Sequence, residues 1–479
     1  MMTRTRMILV LSVAVVVVGV VVGSHRLREL MGLVDKANAT RPNVVLIIID
    51  ALRADQLSCY WFPKDVSPEI DDLARGGLLF EDVIAQCSWT RPSIGSMISS
   101  LYPRTLGIYK ERFDILPDGA LTLAEVMKAS GYGTLGITAN PNINSAFNFH
   151  QGFDDYIDSR VVWEWMTPEP GMKHHDVAGN VHLPQSREIF DVVLSIVSPA
   201  PEKPMYVQIN IMEVHSPYLV RGEFRDLVRR YPLRLGHKYY SNDEIRQRVL
   251  GTYAAVKQVS HDTAAFVNKI SSLPGWKNTL FIITSDHGQG LVNHPDVPGS
   301  MHHGNLLYES QLRVPLILYS PEDTRHIPRG RRVRERVRLL DLMPTILDYL
   351  GIAVPQGAVG ESLLPLISGK GPFPRLPSVF VAETNWREVD KIAAYGRHWK
   401  YIENRDEWGG VNKFELQQMG LVENGLLTDQ IQNHGQIAEE LKLALYDWEQ
   451  SFPRAEPTSP VAEPTEEEVK QLKSLGYFK

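Results

Sequence analysis

Short apolar runs rich in Val, Ile and Leu recur at residues 44–49, 134–138, 206–211, 280–284 and 314–319, and nothing else constrains the fold as strongly. Runs of this length that are apolar on both faces read as buried parallel strands. Between them, residues 121–130, 244–273 and 339–350 carry helical spacing, with Asn242 or Asp243 to cap the second and Gly351 to end the third. Alternation of strands and helices predicts an α/β fold. After Gly371 the pattern changes to short runs at 379–382, 391–395 and 399–403, the last two joined through Gly396 and Arg397 as a hairpin. A helical stretch at 436–448 follows, then a tail with Pro453, Pro457, Pro460 and Pro464 that reads as a surface strap. A chain of 479 residues outgrows a single hydrophobic core, which fits one large domain with a small companion.

The first residues read as a membrane anchor. Arg4 and Arg6 precede the apolar run 7–23, and His25, Arg26 and Arg28 follow it without an Ala-x-Ala cleavage site. Residues 1–24 are therefore expected to be an uncleaved signal anchor and 25–41 a linker, with the body outside the cytoplasm. A net charge of -6 offers no basic surface for nucleic acid. The arginine-rich stretch 325–338 is broken by Pro328, Gly330 and Val333 and reads as a solvated loop. Two cysteines, Cys59 and Cys87, allow one disulfide at most and read as buried apolar fillers.

Three of the strands run straight into polar residues. Asp50 follows the first, Glu213 and His215 the third, and Asp286 and His287 the fourth. Ligands in open α/β sheets bind beyond the carboxyl ends of the strands. Carboxylates and imidazoles delivered together to one edge suit a divalent cation such as zinc or manganese. Singly, Asp50 reads equally as a helix cap and His215 as a satisfied core histidine; their joint placement favours a ligand set. A fourth element, Ser88-Trp89-Thr90-Arg91-Pro92-Ser93, opens a helix whose buried face is Ile94, Met97, Ile98 and Leu101. Thr90 then sits at or just before a helix N-terminus, where free N–H groups favour an anionic ester. Its hydroxyl has two readings, an ordinary cap or a nucleophile activated by a divalent cation.

A family resemblance rests on motifs in fixed order: residues 43–50 with Ala51-Leu52-Arg53-Ala54-Asp55, Pro92-Ser93 with Leu101-Tyr102-Pro103, Gly131-Tyr132 and Gly152-Phe153-Asp154. Further on come His215-Ser216-Pro217-Tyr218, Thr284-Ser285-Asp286-His287-Gly288, His303-Gly304 leading to Tyr308-Glu309 and Arg313-Val314-Pro315, and a tail with Leu472 and Leu475-Gly476-Tyr477. In these features residues 42–479 resemble the sulfatase branch of the alkaline-phosphatase-like hydrolases. The resemblance implies a three-layer α/β/α sandwich with a mainly parallel central sheet at 42–372, a small α+β subdomain with an antiparallel sheet at 373–452, and a tail at 453–479. It implies one divalent cation (Mn, Zn or Ca) held by Asp50, Asp286, His287 and Thr90.

The departures bear on chemistry. Family sulfatases carry Cys or Ser in a Cys-x-Pro-x-Arg setting that is converted to formylglycine. Here the slot reads Thr90-Arg91-Pro92-Ser93-Ile94, so no formylglycine is expected. Cys87 offers a rival register, but Trp89 then stands where the motif wants Pro or Ala. The two sulfate-gripping lysines of the family are missing, since residues 135–142 contain none and Gly304 fills the second slot. His287 replaces the asparagine of many calcium sulfatases, which favours manganese or zinc. A threonine with an Asp/His metal pair resembles the phosphodiesterases, phosphonate hydrolases and phospho-headgroup transferases of the superfamily.

The expected activity is therefore hydrolysis of phosphate (di)esters or related esters through a covalent Thr90 ester. His215 and His303 stabilise the equatorial oxygens and protonate the leaving group. A sulfate-ester hydrolase and a membrane-anchored transferase acting on envelope lipids or glycans are the alternatives. A second cation at Glu213, His215 and His303 is a further option; His302 competes with His303, and His294 reads as a loop histidine. The substrate is expected to be a small-molecule, lipid-headgroup or glycan ester, selected by the loops 161–185 and 221–241 with Trp163, Trp165, Arg229, Arg230 and His237.

Overall fold

The computed structural model describes residues 41–475 except 64, 109–113, 160, 163–183, 219, 230–242, 292–301, 324–325, 370–378, 387–388, 407–409, 420–428 and 457–463. The expected anchor at 1–24, the linker up to residue 40, His294, Trp163, Trp165, Arg230, His237 and Gly476-Tyr477 lie outside the described residues. Among the described residues no helix is long and apolar enough to cross a membrane.

Eight strands form the central sheet: β1 (Asn43–Ile49), β2 (Leu78–Ile84), β3 (Gly133–Thr138), β4 (Asp155–Ile157), β5 (Met205–Ile211), β6 (Thr279–Thr284), β7 (Arg313–Tyr319) and β8 (Arg331–Arg338). Their order is β4-β3-β5-β1-β6-β7-β2-β8. All seven residues of the central strand β1 are buried, as expected of an apolar run covered on both faces. Every pairing on the β4 side of β6 is parallel, whereas β7 runs antiparallel to both of its neighbours. The sequence reading took β7 for a parallel strand, and an apolar run carries no sign of its direction. The chain leaves β6 at one sheet edge and re-enters through the short helix Glu309–Leu312, so no crossover turns β7 round.

The stretch 325–338 was read as a solvated loop, and the structure corrects this: its second half is the edge strand β8. Val333 and Val337 face the core, and β8 pairs in parallel with β2. Its arginines meet carboxylates of β2, Arg332 with Glu81 at 2.6 Å and Arg336 with Asp82 at 2.9 Å. A highly charged strand at an edge also discourages pairing with another chain.

The helices pack in two groups. One comprises α1 (Pro68–Gly76), α4 (Ser186–Val197) and α5 (Asp243–Ser272); the other comprises α2 (Thr90–Ser99), α3 (Leu123–Ala129) and α6 (Leu342–Tyr349). Phe190 of α4 stacks on Phe266 of α5 at 4.4 Å, while Thr122 caps α3 in a reciprocal capping box with Glu125. The result is the expected three-layer α/β/α sandwich.

A second sheet, in the order β12-β11-β10-β9, is antiparallel throughout: β9 (Phe380–Trp386), β10 (Val389–Tyr395), β11 (Trp399–Arg405) and β12 (Val411–Gln418). The hairpin through Gly396 appears as expected. Val381, Ile392, Tyr401 and Leu416 pack with Leu441, Leu445 and Trp448 of α7 (Gly435–Ser451) into a core of their own. Arg104 ties the units together, reaching Glu383 at 3.1 Å and Glu449 at 2.8 Å. Beyond it, α8 (Glu466–Ser474) returns to the large core, where Leu472 is fully buried.

Candidate active site

Strand register decides what meets at the carboxyl edge of the sheet. Ile48 of β1 lies opposite Thr284 of β6, so Asp50 and Asp286, each two residues further on, emerge side by side. Ile49 lies opposite Ile211, which sends the segment 212–215 to the same edge, and Thr138 opposite Asn210 does so for Asn140. Ala51 turns the chain sharply after Asp50 with φ 61°, a left-handed conformation that costs a residue with a Cβ about 1–2 kcal/mol. That turn aims the Ala51 N–H at Asp286 Oδ1, 3.3 Å away. Strain stored beside a reactive group is common where geometry serves chemistry.

Asp50, Asp286, His287 and Thr90 are all fully buried. One donor atom from each of Asp50, Asp286 and His287 lies within 4.8 Å of the others. His287 Nε2 is 3.4 Å from Asp286 Oδ2 and 3.7 Å from Asp50 Oδ1, and both of these carboxylate oxygens are buried without a hydrogen-bond partner. Burial, and then the Asp286 carboxylate beside it, raise the Asp50 pKa well above the usual carboxylate range. Two buried carboxylates with orphaned oxygens turned toward each other offer a cation two anionic ligands. His287 fits that role, because its Nδ1 sits 2.8 Å from the Gly288 carbonyl; donation there leaves the Nε2 lone pair facing the carboxylates. The two carboxylates and one imidazole therefore fit a single divalent cation.

Thr90 is the first residue of α2, one position after the N-cap residue Trp89. Its Oγ1 lies 3.3 Å from His287 Nε2 and 3.4 Å from Asp50 Oδ2. These contacts bring the hydroxyl to the metal-ligand group. Behind it, the Ser93 hydroxyl donates to the Asp286 carbonyl at 2.6 Å and fixes the helix start against the metal loop.

His303 is buried and stacks on His287 with ring centroids 4.7 Å apart; His302, the competing candidate, is exposed. His215 Nε2 and His303 Nε2 are 2.8 Å apart, and His215 Nδ1 is 2.5 Å from the Ser216 carbonyl. Both contacts are satisfied when His215 donates to Ser216 and His303 Nε2–H donates to His215 Nε2. Burial, reinforced by nearby His287, lowers the His215 pKa to about 3, so it is neutral at ordinary pH.

The option of a second cation meets a correction. A cation bound tetrahedrally at about 2.0–2.1 Å by each nitrogen holds them about 3.3 Å apart, so the 2.8 Å spacing is that of a hydrogen bond. Glu213, the expected third ligand, instead accepts the Ser186 N–H at the start of α4. Burial pushes its pKa up to about 7. Among the described residues the only group with metal-ligand spacing is Asp50, Asp286 and His287.

The sulfatase family model matches residues 42–352, more than half of the chain. The chain belongs to the sulfatase family. An ulvan-active sulfatase of Formosa agariphila is 24% identical over 361 residues, covering 70% of this chain; the chain spans 66% of that relative's length, about two thirds. A solved complex with D-glucosamine-2-N,6-O-disulfate superposes with a TM-score of 0.70 at 16% identity, covering 87% of this chain and 99% of that one. The phosphonate monoester hydrolase of Agrobacterium radiobacter gives 0.69 at 16% identity, covering 86% and 96%. These likenesses place the fold, and the family and its neighbours are ester hydrolases.

Within this sulfatase-family site, Cys87 is buried with its thiol pKa pushed up by burial and is no part of the ligand group; neither cysteine is in a disulfide. Three site residues were not singled out from the sequence. Asn140 Nδ2 donates to Asp50 Oδ2 at 2.6 Å, Arg91 is completely buried behind Thr90, and Trp386 of β9 packs on His303 at 5.6 Å and on Trp89 at 5.0 Å. Trp386 was invisible because the small sheet's contact with the site is purely tertiary. An asparagine just past a strand end was the available signal for Asn140, but such residues usually mark turns.

Proposed function

We propose that the chain is a metal-dependent hydrolase of phosphate esters, diesters included, with Thr90 as the nucleophile. The observation that carries this reading is the contact of the Thr90 hydroxyl with His287 and Asp50. A divalent cation held by Asp50, Asp286 and His287 supplies the positive charge that lowers the hydroxyl pKa and polarises the ester. Thr90 Oγ passes its proton to Asp50 Oδ2, 3.4 Å away, and forms a bond to phosphorus as the bond to the leaving oxygen breaks. Binding of the anionic ester brings one added proton onto the hydrogen-bonded pair of His215 and His303, which gives it to the leaving oxygen. Water then attacks the Thr90 ester and returns a proton to the imidazoles, and the departing Thr90 oxygen takes its proton back from Asp50. Residues 1–24 anchor the enzyme with its body outside the cytoplasm, where a small-molecule, lipid-headgroup or glycan ester is the substrate.

Sulfate esters are the second reading, supported by the sulfatase names of most relatives. Threonine in the formylglycine slot and the missing lysines support phosphate. Metal-stripped enzyme given Mn, Zn or Ca and a panel of aryl sulfate, phosphate monoester, phosphate diester and phosphonate monoester separates the two. Phosphate or phosphonate turnover is expected to lead, and faster sulfate turnover overturns the substrate assignment.

A further inference from the structure

Asn140 sits where strand β3 meets the site, and its amide orientation is fixed. Its Oδ1 accepts the backbone N–H of Asn142 at 2.8 Å. The Nδ2 group therefore faces the other way, 2.6 Å from Asp50 Oδ2 and 3.4 Å from Thr90 Oγ1. The side chain is fully buried. The single helical turn Pro141–Ile143 that carries these bonds is itself gripped from the nucleophile's side. Arg91, next to Thr90 and completely buried, donates Nε to the Asn142 carbonyl at 3.1 Å, Nη2 to Asn142 Oδ1 and Nη1 to the Asp114 carbonyl at 3.2 Å. Its guanidinium carbon lies over the Phe147 ring, 3.6 Å from the centroid. A planar fork over an aromatic face holds one orientation, which a lysine does not reproduce. From the opposite side Glu468 of α8 accepts from Asn144 Nδ2 at 3.2 Å.

We infer that Asn140 is a further catalytic residue of this site, its amide donating to the Thr90 oxygen as that oxygen loses its proton, and that Arg91 is a positioning residue acting on it through Asn142. The inference rests on the Thr90 reading. A preorganised amide aimed at a developing oxyanion needs no rearrangement when the charge appears. Because Asn140 Nδ2 donates to Thr90 Oγ1, the threonine's own proton is left to point at Asp50 or His287, the direction in which it must leave.

The test compares Asn140→Ala, Asn140→Ser and Arg91→Lys with Thr90→Ala in the full-length enzyme, reading kcat, KM and bound metal on whichever aryl ester the wild type turns over fastest. Asn140→Ser keeps an acceptor for the Asn142 N–H and removes the longer amide that reaches Thr90, which guards against a folding failure in the alanine variant. Both Asn140 variants are expected to lose about 10²-fold in kcat, with KM and metal content near wild type. Arg91→Lys is expected to lose about tenfold in kcat at unchanged KM. Asn140 variants within twofold of wild-type kcat, or losing activity only in proportion to lost metal, overturn the inference. Thr90→Ala turning over at the wild-type rate overturns the Thr90 reading and this inference with it. An inactive Thr90→Ala beside fully active Asn140 variants overturns this inference alone.

Discussion

Glu213 is a buried carboxyl whose pKa rises from an ordinary 4.5 to about 7 because burial disfavours its charge. The folded state therefore holds a proton that the unfolded chain releases, so this group's contribution to stability is complete below about pH 4.5 and is lost as pH rises through about 7. Glu213→Gln should flatten that slope: urea midpoints at pH 5 and 8 are expected to differ less in the variant than in the wild type, and equal differences refute the assignment. The same residue shows what a sequence conceals at this scale. Asp50, Asp286 and His287 were legible because strand ends in an α/β sheet deliver polar residues to one edge, and Thr90 was read from the helix start that Pro92 marks. Glu213 also follows a strand, but it caps α4, and only the packing of α4 against the sheet reveals which way it points. Asn140 was missed for the converse reason: its importance lies in a bond across the strand register.

Elements were read best where one physical signal sufficed. Strands β1, β3, β5 and β6 are apolar on both faces and stand out in any reading. Strands β2 and β8 escaped because exchanged charges satisfy them, as in the pairs of Arg332 with Glu81 and Arg336 with Asp82, and a charged run alone looks like loop. The tail is more than a surface strap. Leu472 of α8 is fully buried in the large core, and Glu468 beside it holds the segment that follows Asn142. Leu472→Ala is expected to cost about 2–5 kcal/mol, read as a lower denaturant midpoint. A change below about 0.5 kcal/mol places the helix outside the folding unit.

At the scale of the molecule two cores meet at the active site. The small sheet contributes Trp386 against His303, and Arg104 with Arg405 binds both units through Glu383, Glu449 and Glu403. The site's interior carries two carboxylates whose orphaned oxygens face each other, so a bound cation is part of the folded state's stability. Chelation is expected to lower the melting temperature, and manganese or zinc at 100-fold over its Kd to restore about 2.7 kcal/mol. Identical melting with and without metal contradicts the assigned ligand set. The central claim is that Thr90 carries the transferred group. Rapid acid quench during turnover of a slow aryl phosphate or phosphonate ester, followed by peptide mass spectrometry, tests it most directly. A phosphoryl or phosphonyl adduct on Thr90 that forms and decays at catalytically competent rates is expected; an adduct on another residue, or full turnover with none on Thr90, rules out Thr90 as the nucleophile.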